Sequence, residues 1–336
     1  MDKINEYFTY KSSFSSYIEG FLREKEQKGL LRGLMLKCYM LEFDRFFIEY
    51  NITNLHITRE VILQWKDTRL NDKATNLYKK YTTWVSFCKY MCRMGIECYI
   101  PHTPKEGRQN DYIPYIYTHE EINLLFSNVD KLRINNCKHK TQMFILPAFL
   151  RLLYSTGIRI GEALSITNED IKFKEKVIEI NDSKNDRQRI VAINDSLYEV
   201  LLQYQKFKES MPIRGICDAD KSFFVTQNGK PCLSNRIYKW FEQLLLHSDV
   251  PKQPCFNRPR IHDIRHTAAV HALEKLVKSG EDIYCALPMI SVFLGHKNIK
   301  STEAYVRLTD EMFPDLIQKG SITSFVFPDM KYNKYE

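Results

Sequence analysis

No stretch of this 336-residue sequence stays apolar for anything near the ~18 residues that a bilayer-spanning helix needs. The first ten residues, Met1 to Tyr10, alternate charged and aromatic side chains and lack the apolar block of a secretion signal. A cytoplasmic protein with no membrane partner is therefore expected. There is no CxxC pair among the nine scattered cysteines, and Cys88 and Cys92, four apart, have no Cys/His pair nearby to complete a tetrahedral site. Reduced core thiols fit better than zinc. The chain also lacks a GxxxxGK[ST] phosphate loop and any acidic cluster at metal-binding spacing, so no nucleotide, metal or other cofactor is expected. Internal repeats and low-complexity tracts are missing too.

What is present is a chain with 44% hydrophobic residues, enough for real cores, and a length that suggests two domains. The net charge is +8, spread evenly: residues 1–111 carry 18 Lys and Arg against 14 Asp and Glu, and residues 112–336 carry 31 against 27. Both parts are mildly basic, as suits contact with a phosphate backbone, but a balance like this is common and decides nothing alone.

The N-terminal third reads as a four-helix unit. Apolar residues recur at three- and four-residue steps through Ile18, Phe21, Leu22, Leu30, Leu34, Tyr39, Leu41 and Phe46, with Gly29 and Gly33 at a helix end and a turn. A third helix fits Arg59 to Leu70. A fourth fits Lys73 to Met94, with Tyr78, Tyr81, Trp84, Val85, Cys88 and Met91 along one side. Pro101, Pro104, Gly107 and Pro114 then interrupt a polar stretch, which is expected to link the domains. Thr118 and Glu121 have the spacing of a capping box, and the helix they open begins the second domain.

That second domain is mixed. Helices are expected around Phe144 to Ser155 and from Ile160, then two short β-like runs, Val177 to Ile180 and Arg189 to Ile193. The remainder is mostly helical: Ser196 to Phe207, Asn235 to Leu246, His262 to Val277, Ile283 to Leu294 and Ser301 to Leu308. The fold class is mainly α with a small β-sheet, divided at 1–111 and 112–336 with the linker from about 95.

Six residues stand out because they can act together on one phosphodiester. Arg159 lies in TGIRIGEAL after a glycine break, and Lys184 in the turn between the β-like runs. His262 and Arg265 form HDIRH on a helix. His296 follows a glycine in FLGHKNI, and Tyr305 comes nine residues later in STEAYVRL. Taken singly each has an ordinary explanation: a surface arginine paired with Glu162, a solvated lysine among Lys172, Lys174, Lys176, Arg187 and Arg189, a helix-end histidine, one of 20 tyrosines. His266 and His271, on the same helix as His262, read as support or packing.

In this order the six segments resemble the catalytic domain of the tyrosine recombinase family, also called phage-integrase-like or Xer-like, over residues 115 to 310. DSKNDRQRIVAIN and LGHKNIKSTEAYVRL also look like that family's flanking patterns. The resemblance implies an N-terminal helical core-binding (SAM-like) domain and a mixed α+β catalytic domain. It also implies double-stranded DNA as substrate, a 3′-phosphotyrosyl link, and a homotetramer passing through a Holliday junction, with an accessory DNA-bending protein as a candidate further partner. One departure is the spacing of 31 residues from Arg265 to His296, a few more than in compact Xer-type members. The extra material around SGEDIYCALPM is expected to lengthen an interhelical loop.

The chemistry agrees with the residue types. A tyrosine of ordinary pKa near 10 is phenolate in only about one part in a thousand at pH 7, a deficit of roughly 4 kcal/mol. Guanidinium forks such as Arg159 and Arg265 grip phosphate oxygens and hold charge where it builds in the transition state. Lys184 is the candidate acid for the 5′-oxygen leaving group, and His262 the candidate base for Tyr305. His296 is expected to donate to a non-bridging oxygen. A covalent phosphotyrosine stores the energy of the broken bond, so rejoining needs no ATP.

Three alternatives remain open. A DNA-binding relative that lost its chemistry would normally lack the nucleophile or an arginine, and both are present. A type IB topoisomerase shares the tyrosine chemistry but only relaxes supercoils. Within the recombinases, movement of a mobile element competes with chromosome or plasmid dimer resolution; the long spacing before His296 and the tail after Tyr305 favour the mobile element. That tail, from Thr309, carries Phe313, Leu316, Ile317, Phe325, Val326 and Phe327, an apolar face for a neighbouring protomer or for its own domain.

Overall fold

A computed structural model describes residues 8–30, 34–104, 114–132, 142–181, 188–246, 248, 259–296 and 298–313. The chain divides into two compact units, 1–112 and 113–336.

The first unit holds α1 (Ser15–Gln27), α2 (Met35–Glu49), α3 (Arg59–Asp67) and α4 (Ala74–Arg93). Its core is strongly aromatic. Phe14 stacks on Phe47 at 3.9 Å between ring centroids, Phe43 stacks on Trp84 at 4.0 Å, and Trp65 meets Phe43 and Trp84 edge-on. Each such ring, fully buried, contributes about 1.5–3 kcal/mol by leaving water. Two polar tethers fix the helices. The Asp44 carboxylate accepts from the amides of Lys11 and Ser12 and from the Ser12 hydroxyl, anchoring the segment before α1 to α2. Lys80, 4% exposed, pairs with Glu42 at 2.6 Å and Asp72 at 2.7 Å, which satisfies a charge that would otherwise be stranded.

The second unit holds α5 (His119–Lys131), α6 (Gln142–Thr156), α7 (Ile160–Ser165), β1 (Ile171–Lys172), β2 (Val177–Ile180), β3 (Arg189–Ala192), α8 (Asp195–Glu209), α9 (Ser234–Leu246), α10 (Ile261–Lys278), α11 (Ile283–Leu294) and α12 (Lys300–Met312). Thr118 and Glu121 form the expected capping box at α5. Helix α6 is apolar nearly all round, with Ile145, Leu146, Phe149, Leu150, Leu152 and Leu153 buried, and α5, α8 and α10 pack about it. A second cluster joins α10, α11 and α12 through Ala269, Leu273, Leu287, Ile290, Leu294 and Leu308.

The sheet has three antiparallel strands in the order β1-β2-β3, with Ile171 opposite Ile178 and Ile178 opposite Val191. The sequence pattern predicts only β2 and β3. A two-residue strand such as β1 is too short to show alternation, and only its pairing with β2 defines it. The segment SGEDIYCALPM differs from expectation more sharply. It is not a loop insertion: α10 runs to Lys278, and α11 already begins at Ile283. Asp282 starts α11 by accepting from the amides of Tyr284 and Cys285, so only a short turn separates the two helices.

Helix α12 extends four residues beyond the expected Leu308. Thr309 is fully buried, its hydroxyl donating to the Tyr305 carbonyl at 2.8 Å. Phe313 packs on its own unit, against the rings of His119 and His271. Phe313 therefore leaves the set of candidate protomer-contact residues; Leu316, Ile317, Phe325, Val326 and Phe327 lie outside the described residues. No described helix is long and apolar enough to cross a membrane.

Candidate active site

Two glycine-marked helix ends build the floor of the site. Gly157 closes α6 at φ +59°, and a Cβ there would sit 2.7 Å from the Phe293 ring. Gly295 closes α11 at φ +63°, where a Cβ would meet the Arg189 guanidinium at 2.7 Å. Only glycine meets both demands, of conformation and of space. The carbonyls at these ends carry the partial negative charge of their helices. Arg265, on α10 and 3% exposed, occupies both: its Nη1 donates to the Gly157 carbonyl and its Nη2 to the Leu294 carbonyl at 2.7 Å. Burial first, then Arg159 beside it, brings its pKa down to about 10, which leaves it charged at neutral pH.

Arg159 stands at the start of α7. Its amide donates to one oxygen of Glu162 at 2.9 Å, and its guanidinium to the other at 2.7 Å. Arg189, at the head of β3, grips the same carboxylate from the other side at 2.7 Å. Glu162 is thus not a surface partner but a 3% exposed hub that orients two arginines. Burial pushes its carboxyl up, yet the bonds from Arg189 and Arg159 outweigh it and hold the pKa at about 2.

Tyr305 projects from α12 into this cationic pocket and is 4% exposed. Burial raises its phenol pKa, while Arg265 and Arg159 pull it back down. The hydroxyl lies 3.0 Å from Nδ1 of His266. On the other side the His296 ring runs parallel to the phenol, 16° apart and 6.2 Å between centroids, with its Nδ1 2.9 Å from the hydroxyl of the buried Thr302. With Nδ1 bonded to Thr302, Nε2 is the ring nitrogen of His296 left to act as a donor. His262 is one turn before His266, the two rings edge to face at 5.0 Å. The three histidines share one electrostatic fate. Burial, then the surrounding cations, depress His262 to about 4, His266 to about 3 and His296 to about 4. A site with this much fixed positive charge is built to receive an anion.

Of the six residues singled out from sequence, the structure brings Arg159, His262, Arg265, His296 and Tyr305 into this one pocket; Lys184 lies outside the described residues. His266, expected to be support or packing, and Arg189, expected to be one of several solvated cations, both contact site residues directly. The signal for His266 was available, since i+4 from His262 places it on the same face of α10. Arg189 offered none, because its pairing with Glu162 is made only in the fold. Among the described residues no group of three or more His, Cys, Asp or Glu is placed to hold a metal.

The model of the phage integrase family matches residues 116–312, which span every one of these side chains. The chain belongs to the phage integrase family. Its members are tyrosine recombinases, enzymes that cut and rejoin DNA, and this chain is one of them. It is 25% identical to a putative integrase/recombinase, y4rB, of Sinorhizobium fredii, over 93% of this chain and 96% of that one. It is 27% identical to a tyrosine recombinase of Pseudothermotoga lettingae, over 84% and 86% of the two chains. In fold it is similar to the XerH site-specific recombinase bound to its palindromic difH substrate, with a TM-score of 0.63 at 16% identity, covering 93% of this chain and 84% of that one. It is also similar to the Tn1549 transposon integrase in complex with circular intermediate DNA, with a TM-score of 0.59 at 17% identity over 86% and 94%.

Proposed function

We propose that this recombinase acts through a phosphotyrosine at residue 305 and serves a mobile genetic element. The observation that carries the mechanism is the convergence of Arg159, Arg265, His266 and His296 on one buried phenol, with His262 packed on His266. A scissile phosphate entering the pocket is held by the two guanidiniums, and Nε2 of His296 donates to a non-bridging oxygen. The phenol oxygen gives its proton to a neighbouring histidine and attacks phosphorus, and the P–O5′ bond breaks, leaving the 3′-phosphate on Tyr305. Lys184 supplies the proton that the 5′ oxygen takes. The reverse steps, with a 5′ hydroxyl from a partner strand, rejoin the DNA.

Double-stranded DNA is the substrate, gripped by both units, with four protomers holding two duplexes through a Holliday junction. The work is done in the cytoplasm. The mobile-element role rests on the likeness to a transposon integrase and on kinship with a putative integrase/recombinase. A second role, dimer resolution of the Xer type, is favoured by relatives named XerD, one of them from Staphylococcus aureus and 22% identical over 87% of this chain. A nicked suicide substrate tests the mechanism, since loss of the small leaving fragment strands the enzyme on its DNA. A denaturant-resistant adduct is expected from the wild type; its absence on every DNA cut from the chain's own genomic neighbourhood contradicts the reading. Mapping the adduct separates the two roles: a site at the ends of a mobile element supports integration, a single chromosomal site supports resolution.

A further inference from the structure

The residue in contact with the nucleophile is not the one that sequence reasoning assigned as its base. Nδ1 of His266 lies 3.0 Å from the Tyr305 hydroxyl. No hydrogen bond joins His262 to Tyr305 among the described residues, and His262 instead turns its ring against His266. His266 also has little else to do. It is half-buried, it caps no helix, and its only hydrogen-bond partner among the described residues is the phenol of Tyr305.

We propose that His266 is the immediate acceptor of the Tyr305 proton and keeps that proton through the covalent intermediate. The inference rests on the phosphotyrosine reading above. Neutral imidazole with its hydrogen on Nε2 presents a lone pair from Nδ1 to the phenol, so the hydroxyl donates to it. As the phenol oxygen bonds to phosphorus, its proton moves to Nδ1 and His266 becomes imidazolium. The P–O5′ electron pair leaves with the 5′ oxygen, protonated by Lys184. On rejoining, the 5′ hydroxyl gives its proton back to Lys184 and attacks, and the departing phenolate recovers its proton from His266. Each proton returns to its source, and no external reagent is consumed.

Electrostatics gives the transfer its timing. Without DNA, burial first, and then His262, Arg265, Arg260 and His296, depress the basicity of His266. It is then a poor base, and the phenol keeps its proton. The scissile phosphate brings a negative charge into the same pocket and offsets those cations, which raises the basicity of His266 only when a target is bound. The phenol thereby stays protonated until a target phosphate is bound.

The test is single-turnover adduct formation on suicide DNA by the full-length protein, on an ordinary phosphodiester and on a 5′-bridging phosphorothiolate, whose thiolate leaves without an acid. His266→Ala is expected to slow adduct formation about 10²-fold or more on both substrates, as loss of a general base does, and added imidazole to restore part of the rate. His266→Asn keeps an acceptor near the Nδ1 position but cannot take a proton. It is expected to melt like the wild type, bind DNA equally and remain as slow as His266→Ala. Lys184→Ala, by contrast, should recover on the phosphorothiolate. The inference is overturned if His266→Asn cleaves at the wild-type rate, which would make His266 a positioning residue only. It also fails if the His266→Ala defect disappears on the phosphorothiolate, or if imidazole restores nothing. A wild type that forms no adduct defeats the phosphotyrosine reading itself, a separate result.

Discussion

At the scale of single residues, the site is a balance between burial, which favours neutral groups, and fixed cations, which demand an anion. Glu162 is the test of how that balance is held. Its carboxylate is the shared anchor of Arg159 and Arg189. Removing one partner of a buried pair costs about 3–5 kcal/mol, and because both arginines keep some exposure, Glu162→Ala should cost about 2 kcal/mol. Calorimetric melting should show that loss, with adduct formation falling further than stability explains because Arg159 is no longer aimed. The histidines give a pH prediction. His262, His266 and His296 have folded-state pKa values of about 4, 3 and 4. Below the ordinary value of about 6.5 the unfolded chain takes up protons that the folded pocket refuses, so stability is full above about pH 6.5 and declines as pH falls. The melting temperature should drop between pH 6.5 and 4, and a short phosphate-bearing duplex should reduce the drop; a flat profile would contradict these assignments. Thr302 belongs to the same scale: Thr302→Val removes the bond that orients His296, and should slow cleavage about tenfold, as loss of one oriented donor does, with binding unchanged.

At the scale of elements, the site depends on where helices stop. Arg265 is clasped by the carbonyl ends of α6 and α11, each closed by a glycine in the left-handed region. Gly157→Ala should cost about 1–2 kcal/mol for the backbone alone, more with the clash against Phe293, and should misplace Arg265. Cleavage should fall by more than tenfold at a temperature where the variant is still folded, measured by circular dichroism beside adduct formation. This scale also shows what a sequence exposes. The periodicity of α4 was legible because it buries a stripe at helical spacing, α6 was legible as a long apolar run, and Thr118 with Glu121 announced α5. The order of Arg159, His262, Arg265, His296 and Tyr305 was legible as a pattern. Their contacts were not: the partnership of Tyr305 with His266, and of Glu162 with Arg189, comes from elements far apart in the chain. The helix over Ile283 to Leu294 was legible, but the connection before it was misjudged: the spacing from Arg265 to His296 suggested a lengthened loop, whereas Asp282 caps α11 after a short turn.

At the scale of the whole molecule, a recombinase acting on DNA with its net charge of +8 spread over both units should bind mainly through phosphate contacts. Affinity for a target duplex should fall about 10³–10⁵-fold between 50 and 200 mM salt if six to ten phosphates are engaged, and a shallow slope in a filter-binding titration would argue against both units gripping DNA. Truncation after Phe313 keeps α12 and its packing intact, and should abolish cooperative assembly on paired sites while single-site binding survives. Unchanged cooperativity in a mobility-shift titration would remove residues 314–336 from the protomer contact. All of this presupposes that the buried phenol of α12 is the group that joins DNA. The most direct measurement is mass spectrometry of the protein trapped on suicide DNA, after nuclease and trypsin digestion. The account requires the nucleotide remnant on the peptide Ser301–Arg307, at Tyr305; a remnant on any other residue, or a trapped complex still formed at the wild-type rate by Tyr305→Phe, would contradict it.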